Sequence, residues 1–403
     1  MCRFMKRVLI HILEMSIGIL LILLIILGIK YRVEVLNYIK SQTVSVSSEK
    51  VTNELKEQEE QKAEDSEVIQ ESSQIQETVS ESEEPVQEEI PQVKETNLLF
   101  TGDILLTGYL LSQYDSSGIN GILASDIVQE MVDADLTMVN EEFPFSNRGT
   151  AMEDKQFTFR IEPERVQVFK DLGIDIVTLA NNHILDYGRD ALTDTFETLD
   201  DAQIQYVGAG NNYDEAKALK EFDINDKKIG ILAASRVIPE PGWAAGTSSG
   251  VFSTYDSSGL EQEIKNADSS CDFVIVYVHW GIEKNEYPED YQRQLAQKYI
   301  DAGADIVIGA HPHVLQGIEY YNGKPIVYSL GNFVFGSQIS KTVFLKVEIN
   351  EQSNLSLSVV ACKTDANYIL NKADNQKEIY QYLTEISTNA VIDEDGIVSE
   401  KEI

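Results

Sequence analysis

Four of the five histidines in this chain stand where apolar runs end in short polar clusters. They are His183 in Ala180-Asn181-Asn182-His183, His279 before Trp280-Gly281, and His311 and His313 on either side of Pro312. Asp103 follows Thr101-Gly102, and Glu142 closes Asn140-Glu141-Glu142. Aspartate, glutamate, asparagine and imidazole are the groups that hold divalent ions in hydrolytic centres. Asp103, Glu142, Asn182, His279, His311 and His313 are therefore candidate metal ligands. A single aspartate or asparagine after a strand is commonly only a cap or turn residue. Five strand exits bearing such residues together are not explained by capping. Competing structural roles exist for each: a turn at Asp103, a solvated loop at Glu142, a buried polar cluster at Asn182 and His183, packing beside Trp280 at His279. Pro312 predicts extended backbone at His311, which would space the two rings apart. His183 is a candidate proton donor or stabiliser of developing charge, with Asp186 placed to orient a histidine. Arg160 offers a planar fork to an anionic substrate, or a surface ion pair to Glu162 or Glu164. Asn332, in Leu330-Gly331-Asn332-Phe333, is a candidate hydrogen-bonding group, and Trp243 a candidate lid over the cleft.

The elements that position these residues alternate. Apolar runs at 98–100, 136–139, 176–179, 229–232, 273–278 and 306–308 read as strands, and nearly all of them end at a cluster named above. Helical spacing fills 122–134, the stretch opened by Pro163, 189–199 and 288–302. That alternation predicts an α/β sheet with layered helices, and ligands gather at the carboxyl ends of such strands. Past Ile318 the pattern turns antiparallel. Asn322-Gly323 marks a hairpin, 325–330, 342–349 and 355–362 read as strands, and a helix near 377–386 is expected to close the chain.

The first third differs in kind. Arg3, Lys6 and Arg7 precede an apolar run over 8–29, long enough to span a bilayer, with no small-x-small cleavage site after it. This predicts an uncleaved signal anchor with a cytoplasmic N-terminus. Residues 41–96 hold 16 acidic and 4 basic side chains and no aromatic residue. Such a segment cannot bury enough apolar surface to offset its ordering entropy, so a disordered tether with ends roughly 40 Å apart is expected. The net charge of −35 argues against nucleic acid, which needs a basic footprint. Of three cysteines, Cys2 precedes the anchor, and Cys271 and Cys362 leave one disulfide open.

The series Gly102-Asp103, Asn140-Glu141-Glu142, Ala180-Asn181-Asn182-His183 with Asp186-Tyr187-Gly188, His279-Trp280-Gly281 with Glu283, Gly309-Ala310-His311-Pro312-His313 with Gln316, and Tyr328-Ser329-Leu330-Gly331-Asn332-Phe333 resembles the CapA family of poly-gamma-glutamate capsule synthesis proteins. The family is similar in fold to calcineurin-like metallophosphoesterases. The resemblance implies an α/β fold of the four-layer α/β/β/α sandwich type. It also implies a divalent ion such as Mn, Fe or Zn. In that comparison Asp103 matches the first-strand aspartate ligand, Asn182 the asparagine ligand, and His183 the histidine that assists the leaving group. His279, His311 and His313 match the histidine ligands, and Glu142 stands where a bridging aspartate is expected. Three departures are visible. Ile104 and Leu105 follow Asp103 where the phosphoesterases carry Asp-x-His. The bridging Gly-Asp is replaced by Asn140-Glu141-Glu142. Glu141 takes the place of an apolar residue in the family's own pattern. One ion position is thus expected to be weak, absent or differently ligated.

The resulting organisation is a cytoplasmic N-terminus at 1–7, an anchor at 8–29, a juxtamembrane and acidic linker at 30–96, a CapA-like domain at 97–365 and a C-terminal helix and tail at 366–403. The implied protein is single-pass, with its C-terminal domain outside the cell. It would act in the synthesis or export of poly-gamma-glutamate or a similar anionic polymer, with that polymer or its synthase complex as partner. The rival readings are a metal-dependent phosphoesterase or hydrolase acting on the cell envelope, and a plain intracellular phosphodiesterase.

Overall fold

A computed structural model describes residues 95–401. The expected anchor at 8–29 and nearly all of the acidic linker at 30–96 lie outside the described residues. Among the described residues, no helix is long and apolar enough to cross a membrane.

The described residues form eighteen strands in chain order: β1 (Thr96–Ile104), β2 (Leu136–Glu141), β3 (Ile176–Thr178), β4 (Gln205–Val207), β5 (Ala209–Gly210), β6 (Lys220–Ile224), β7 (Lys227–Ser235), β8 (Gly250–Val251) and β9 (Phe273–His279), then β10 (Ile306–Ala310), β11 (Leu315–Tyr321), β12 (Lys324–Leu330), β13 (Asn332–Val334), β14 (Thr342–Ile349), β15 (Leu355–Thr364), β16 (Leu370–Lys372), β17 (Ala390–Ile392) and β18 (Ile397–Glu400). They form a mixed α/β sandwich. One sheet runs β17-β18-β15-β14-β1-β2-β3-β4, with β13 on β1 and β16 on β15. The other runs β11-β12-β10-β9-β7-β6, and β5 pairs with β8 in a small ribbon.

Among the described residues, three apolar cores hold the layers. Phe100 and Met138 of the first sheet share one core with Ile231 and Ile275 of the second. The outer face of the first sheet packs on helices through residues such as Ile127 and Leu192. The outer face of the second packs on Leu260, Ile264, Leu295 and Tyr299. Strand β9 is buried along its whole length, as a β-branched and aromatic run between two cores should be. The helix Ser258–Asp268 buries Leu260, Ile264 and Ala267, spaced four and then three residues apart. Beneath the site the Tyr277 hydroxyl bridges the two sheets, donating to Thr101 O at 2.8 Å.

The parallel strands β1, β2 and β3 of the first sheet, and β7, β9, β10 and β12 of the second, bring the polar clusters to their carboxyl ends. At the end of β1 a register shift follows Phe100. A Cβ at Gly102 would stand 1.8 Å from Gly331 O, so only glycine lets the β12–β13 link lie against β1. Asp103 N donates to that same oxygen at 3.0 Å, which fixes where its side chain emerges.

The Asn322-Gly323 hairpin forms as expected, with φ of 52° and 74° at its two residues. The expected last helix, Gln376–Ile386, does not close the chain: β17 and β18 follow and add to the first sheet. Cys271 and Cys362 are both free thiols. Trp243 is buried and packs into the outer core of the first sheet.

Candidate metal centre

Asp103, Glu142, Asn182, His279, His311 and His313 converge in the seam between the two sheets. Glu142, His279 and His311 offer ligand atoms within 4.8 Å of one another, and so do Asp103, Glu142 and His313. Glu142 belongs to both groups. Asp103 and Glu142 are wholly buried, His279 and His311 nearly so. Asp103 Oδ2 lies 3.1 Å from His313 Nδ1 and accepts from His311 N at 3.4 Å. Glu142 approaches His279 Nε2 at 3.6 Å and His313 Nε2 at 3.9 Å. His279 Nε2 is 2.8 Å from Asn182 Oδ1.

The backbone at the histidine pair is not extended. His311 has φ 98° and His313 φ 58°, both in the left-handed region. The preference of a residue before proline is overruled here. His311 N–H turns to the Asp103 carboxylate, and Pro312 O accepts from Lys284 N at 2.7 Å. The turn brings both rings into the seam, with centroids 5.8 Å apart.

The electrostatics are those of a cation site. Burial and the neighbouring Asp103 charge push Glu142 well above the usual carboxylate range. Burial, reinforced by His313, lowers His311 to about 3. Burial alone would also lower His313, but the Glu142 charge and the Asp103 hydrogen bond outweigh it and raise His313 to about 10. The carboxylates thus draw a positive charge into the seam, and a divalent ion would meet the same demand. Two buried atoms suited to such an ion, Glu142 Oε2 and His311 Nδ1, have no hydrogen-bond partner. The residues present, imidazoles and carboxylates together, fit a divalent cation.

His183 and Asp186 stand beside this cluster. His183 Nδ1 is 2.8 Å from Asp186 Oδ2. Burial holds His183 below its ordinary pKa. Lys155 completes the group, touching Asn182 O, Asp186 Oδ1 and His183 Nδ1, the last at 3.1 Å. Its ammonium also lies 5.1 Å over the Trp243 ring. Nothing in the local sequence marks Lys155, which comes from the 147–160 loop. Asn140 and Asn181 were visible as members of polar clusters, yet only the structure gives them their contacts.

The two residues expected to meet substrate are placed differently. Asn332 pairs with Asp103 across β13 and β1, and its Oδ1 lies 2.8 Å from His313 Nδ1. It braces a candidate ligand. Arg160 is exposed and outside the cluster. It donates to Arg148 O at 2.8 Å and stacks 4.2 Å from the Tyr187 ring.

Residues 97–337 match the family described as "Bacterial capsule synthesis protein PGA_cap". The chain is similar to "PGA biosynthesis protein CapA" of Bacillus subtilis (strain 168), 35% identical over 246 residues, 60% of this chain and 64% of that protein. It is also similar to "Capsule biosynthesis protein CapA" of Bacillus anthracis, 30% identical over 247 residues, 59% of this chain and 60% of that protein. The match thus spans 64% and 60% of the length of these relatives. Among solved structures it is similar to the Haemophilus influenzae NAD nucleotidase (NadN), with a TM-score of 0.41 and 12% identity, covering 73% of this chain and 57% of that one.

Proposed function

The chain belongs to the bacterial capsule synthesis protein family PGA_cap, and from that premise we propose that it serves the synthesis or export of poly-gamma-glutamate or a similar anionic capsule polymer. In this reading an N-terminal anchor over 8–29 holds it in the cell membrane, with the described domain outside the cell. The domain is a metallophosphoesterase-like four-layer sandwich whose seam holds one or two divalent ions.

The observation that carries this reading is the buried cluster of Asp103, Glu142, Asn182, His279, His311 and His313, with Glu142 Oε2 and His311 Nδ1 left unpartnered. These residues would hold the ion. When bound, it would supply a Lewis acid at a carboxylate or phosphoryl oxygen. The chain itself is strongly acidic, so a polyanion needs local positive charge to approach, and the ion and Lys155 supply it.

A second reading is a metal-dependent phosphoesterase or other hydrolase acting on the cell envelope. One arrangement favours it. With Nδ1 of His183 held against Asp186, the other ring nitrogen is left to hold or give a proton beside the ion. Polymer binding alone does not call for such a group.

Metal analysis of the purified full-length chain, beside a His311→Ala/His313→Ala double variant, tests the site. Stoichiometric Mn, Fe or Zn in the wild type, lost in the variant, is the expected result. A wild-type chain that takes up none of them on addition refutes the site. Calorimetric titration of the loaded chain with poly-gamma-glutamate then separates the readings. Binding without cleavage supports the polymer role. Ion-dependent hydrolysis of a phosphoester or γ-glutamyl substrate supports the hydrolase.

A further inference from the structure

Asn140, at the end of β2, is wholly buried among the candidate ligands. Its amide nitrogen lies 2.8 Å from Asp103 Oδ1, 3.3 Å from Glu142 Oε1 and 3.4 Å from His279 Nδ1. The two ends of an amide are assigned from their hydrogen-bond network, and here a relay decides them. Asn181 Oδ1 accepts from the backbone N–H groups of His183 and Ile184, each at 3.0 Å. That end of Asn181 must therefore be oxygen. Its other end must be the donor, and it meets Glu141 O at 2.6 Å and Asn140 Oδ1 at 3.2 Å. So the Asn140 oxygen faces Asn181, and its NH₂ is aimed at the carboxylates.

An amide nitrogen carries two hydrogens. Asp103 Oδ1, at 2.8 Å, takes one of them, and Glu142 Oε1 and His279 Nδ1 lie within reach of the other. Each carboxylate then has one oxygen facing the amide and a leftover one turned from it. The leftover oxygen of Asp103 is Oδ2, which faces His313. The leftover oxygen of Glu142 is Oε2, buried with no partner. Asp103 Oδ2 and Glu142 Oε2 thus both face His313, at 3.1 and 3.9 Å, while Glu142 Oε1 stays 3.6 Å from His279 Nε2.

We propose that Asn140 is a positioning residue that sets the rotation of the Asp103 and Glu142 carboxylates, leaving Oδ2 of Asp103 and Oε2 of Glu142 free for the ion on the His313 side. The chain of command runs from the backbone at His183 and Ile184, through Asn181, to Asn140 and then to both carboxylates. An amide does this without adding negative charge, which a carboxylate at position 140 would. The inference rests on the metal-site reading above.

Titration of the full-length chain with Co²⁺ and Mn²⁺ tests it, with affinity and the visible spectrum of the Co²⁺ form as readouts. Asn140→Leu keeps the side-chain size and removes the donor. It is expected to weaken ion binding about 10–100-fold and to change the Co²⁺ bands as the freed carboxylates turn. Asn181→Ala, with Asn140 intact, is expected to shift the bands in the same way, because the amide loses the group that orients it. A purely structural role would lower stability and leave the spectrum of the bound ion alone. Wild-type affinity together with a wild-type spectrum in Asn140→Leu overturns the proposal. If Asn140→Leu does not fold, Asn140→Ser, too short to reach both carboxylates, carries the same expectation. A wild-type chain that binds neither ion refutes the metal site itself, and this inference with it.

Discussion

Glu141 separates packing from chemistry at the scale of one residue. Its neighbours Asn140 and Glu142 both reach the seam, so strand alternation turns Glu141 to the other face. It is wholly buried there, and neither carboxyl oxygen has a hydrogen-bond partner. Burial pushes its pKa well up, so the carboxyl is held neutral in apolar surroundings. Glu141→Leu is expected to raise the unfolding free energy by about 1–2 kcal/mol, read from the urea midpoint, with ion content unchanged. Loss of the ion in that variant would instead make Glu141 a ligand. Lys155 is the opposite case, a cation pressed into an acidic corner and held there by Asp186. Lys155→Met leaves that carboxylate short of its counter-charge. A loss of about 2–4 kcal/mol in thermal or chemical denaturation is expected, and an unchanged midpoint would mark the pair as incidental.

Single elements place the ligands, and two glycines show how unequally they matter. Gly102 admits the β12–β13 link against β1, whereas Gly323 sits at a hairpin tip with open space where a Cβ would go. Gly102→Ala should cost more than about 3 kcal/mol or prevent folding, because the new methyl meets backbone that cannot move alone. Gly323→Ala should cost about 1 kcal/mol for its φ of 74° and leave ion uptake intact. Equal effects in the two variants would refute the claim that the β1 bulge positions Asp103. The same scale explains what the amino-acid text discloses. Apolar runs such as 342–349 are strands to the residue, because buried β-branched stretches carry their own signature. The strands β17 and β18 are not legible because they are short and rest on long-range pairing, and the helix Gly108–Ser117 because it buries only Leu110 and Leu111 and so lacks a periodic apolar face. The ligand types were legible as clusters at strand exits. The left-handed turn at His311 was not, since it arises from an aspartate 208 residues away. Lys155 was not either, since a lysine in a loop looks like any other until the fold brings it to Asp186.

For the whole molecule, the ion should act as a fastener. The seam gathers Asp103 and Asn332 from the first sheet, His279 from the second, and His311 and His313 from the loop after β10. A ligand that binds only the folded chain stabilises it by about 2.7 kcal/mol at a hundredfold excess over its dissociation constant. Thermal unfolding with Mn²⁺ or Zn²⁺ is expected at a higher midpoint than with EDTA, and the His311→Ala/His313→Ala variant should lose that difference. An equal gain in the variant would place the ion elsewhere on this acidic surface.

Asp186 is also a knot in the 147–160 loop. Its carboxylate accepts from Phe159 N and its backbone oxygen from Met152 N, each at 2.8 Å, while the same carboxylate grips His183. The loop and the imidazole are therefore moored to one post. Deuterium uptake at the amides of Met152 and Phe159 becomes a clock for the histidine: a bound molecule that lifts the loop will speed both exchanges and unmoor the ring, and one that seats beneath it will slow both and hold the ring.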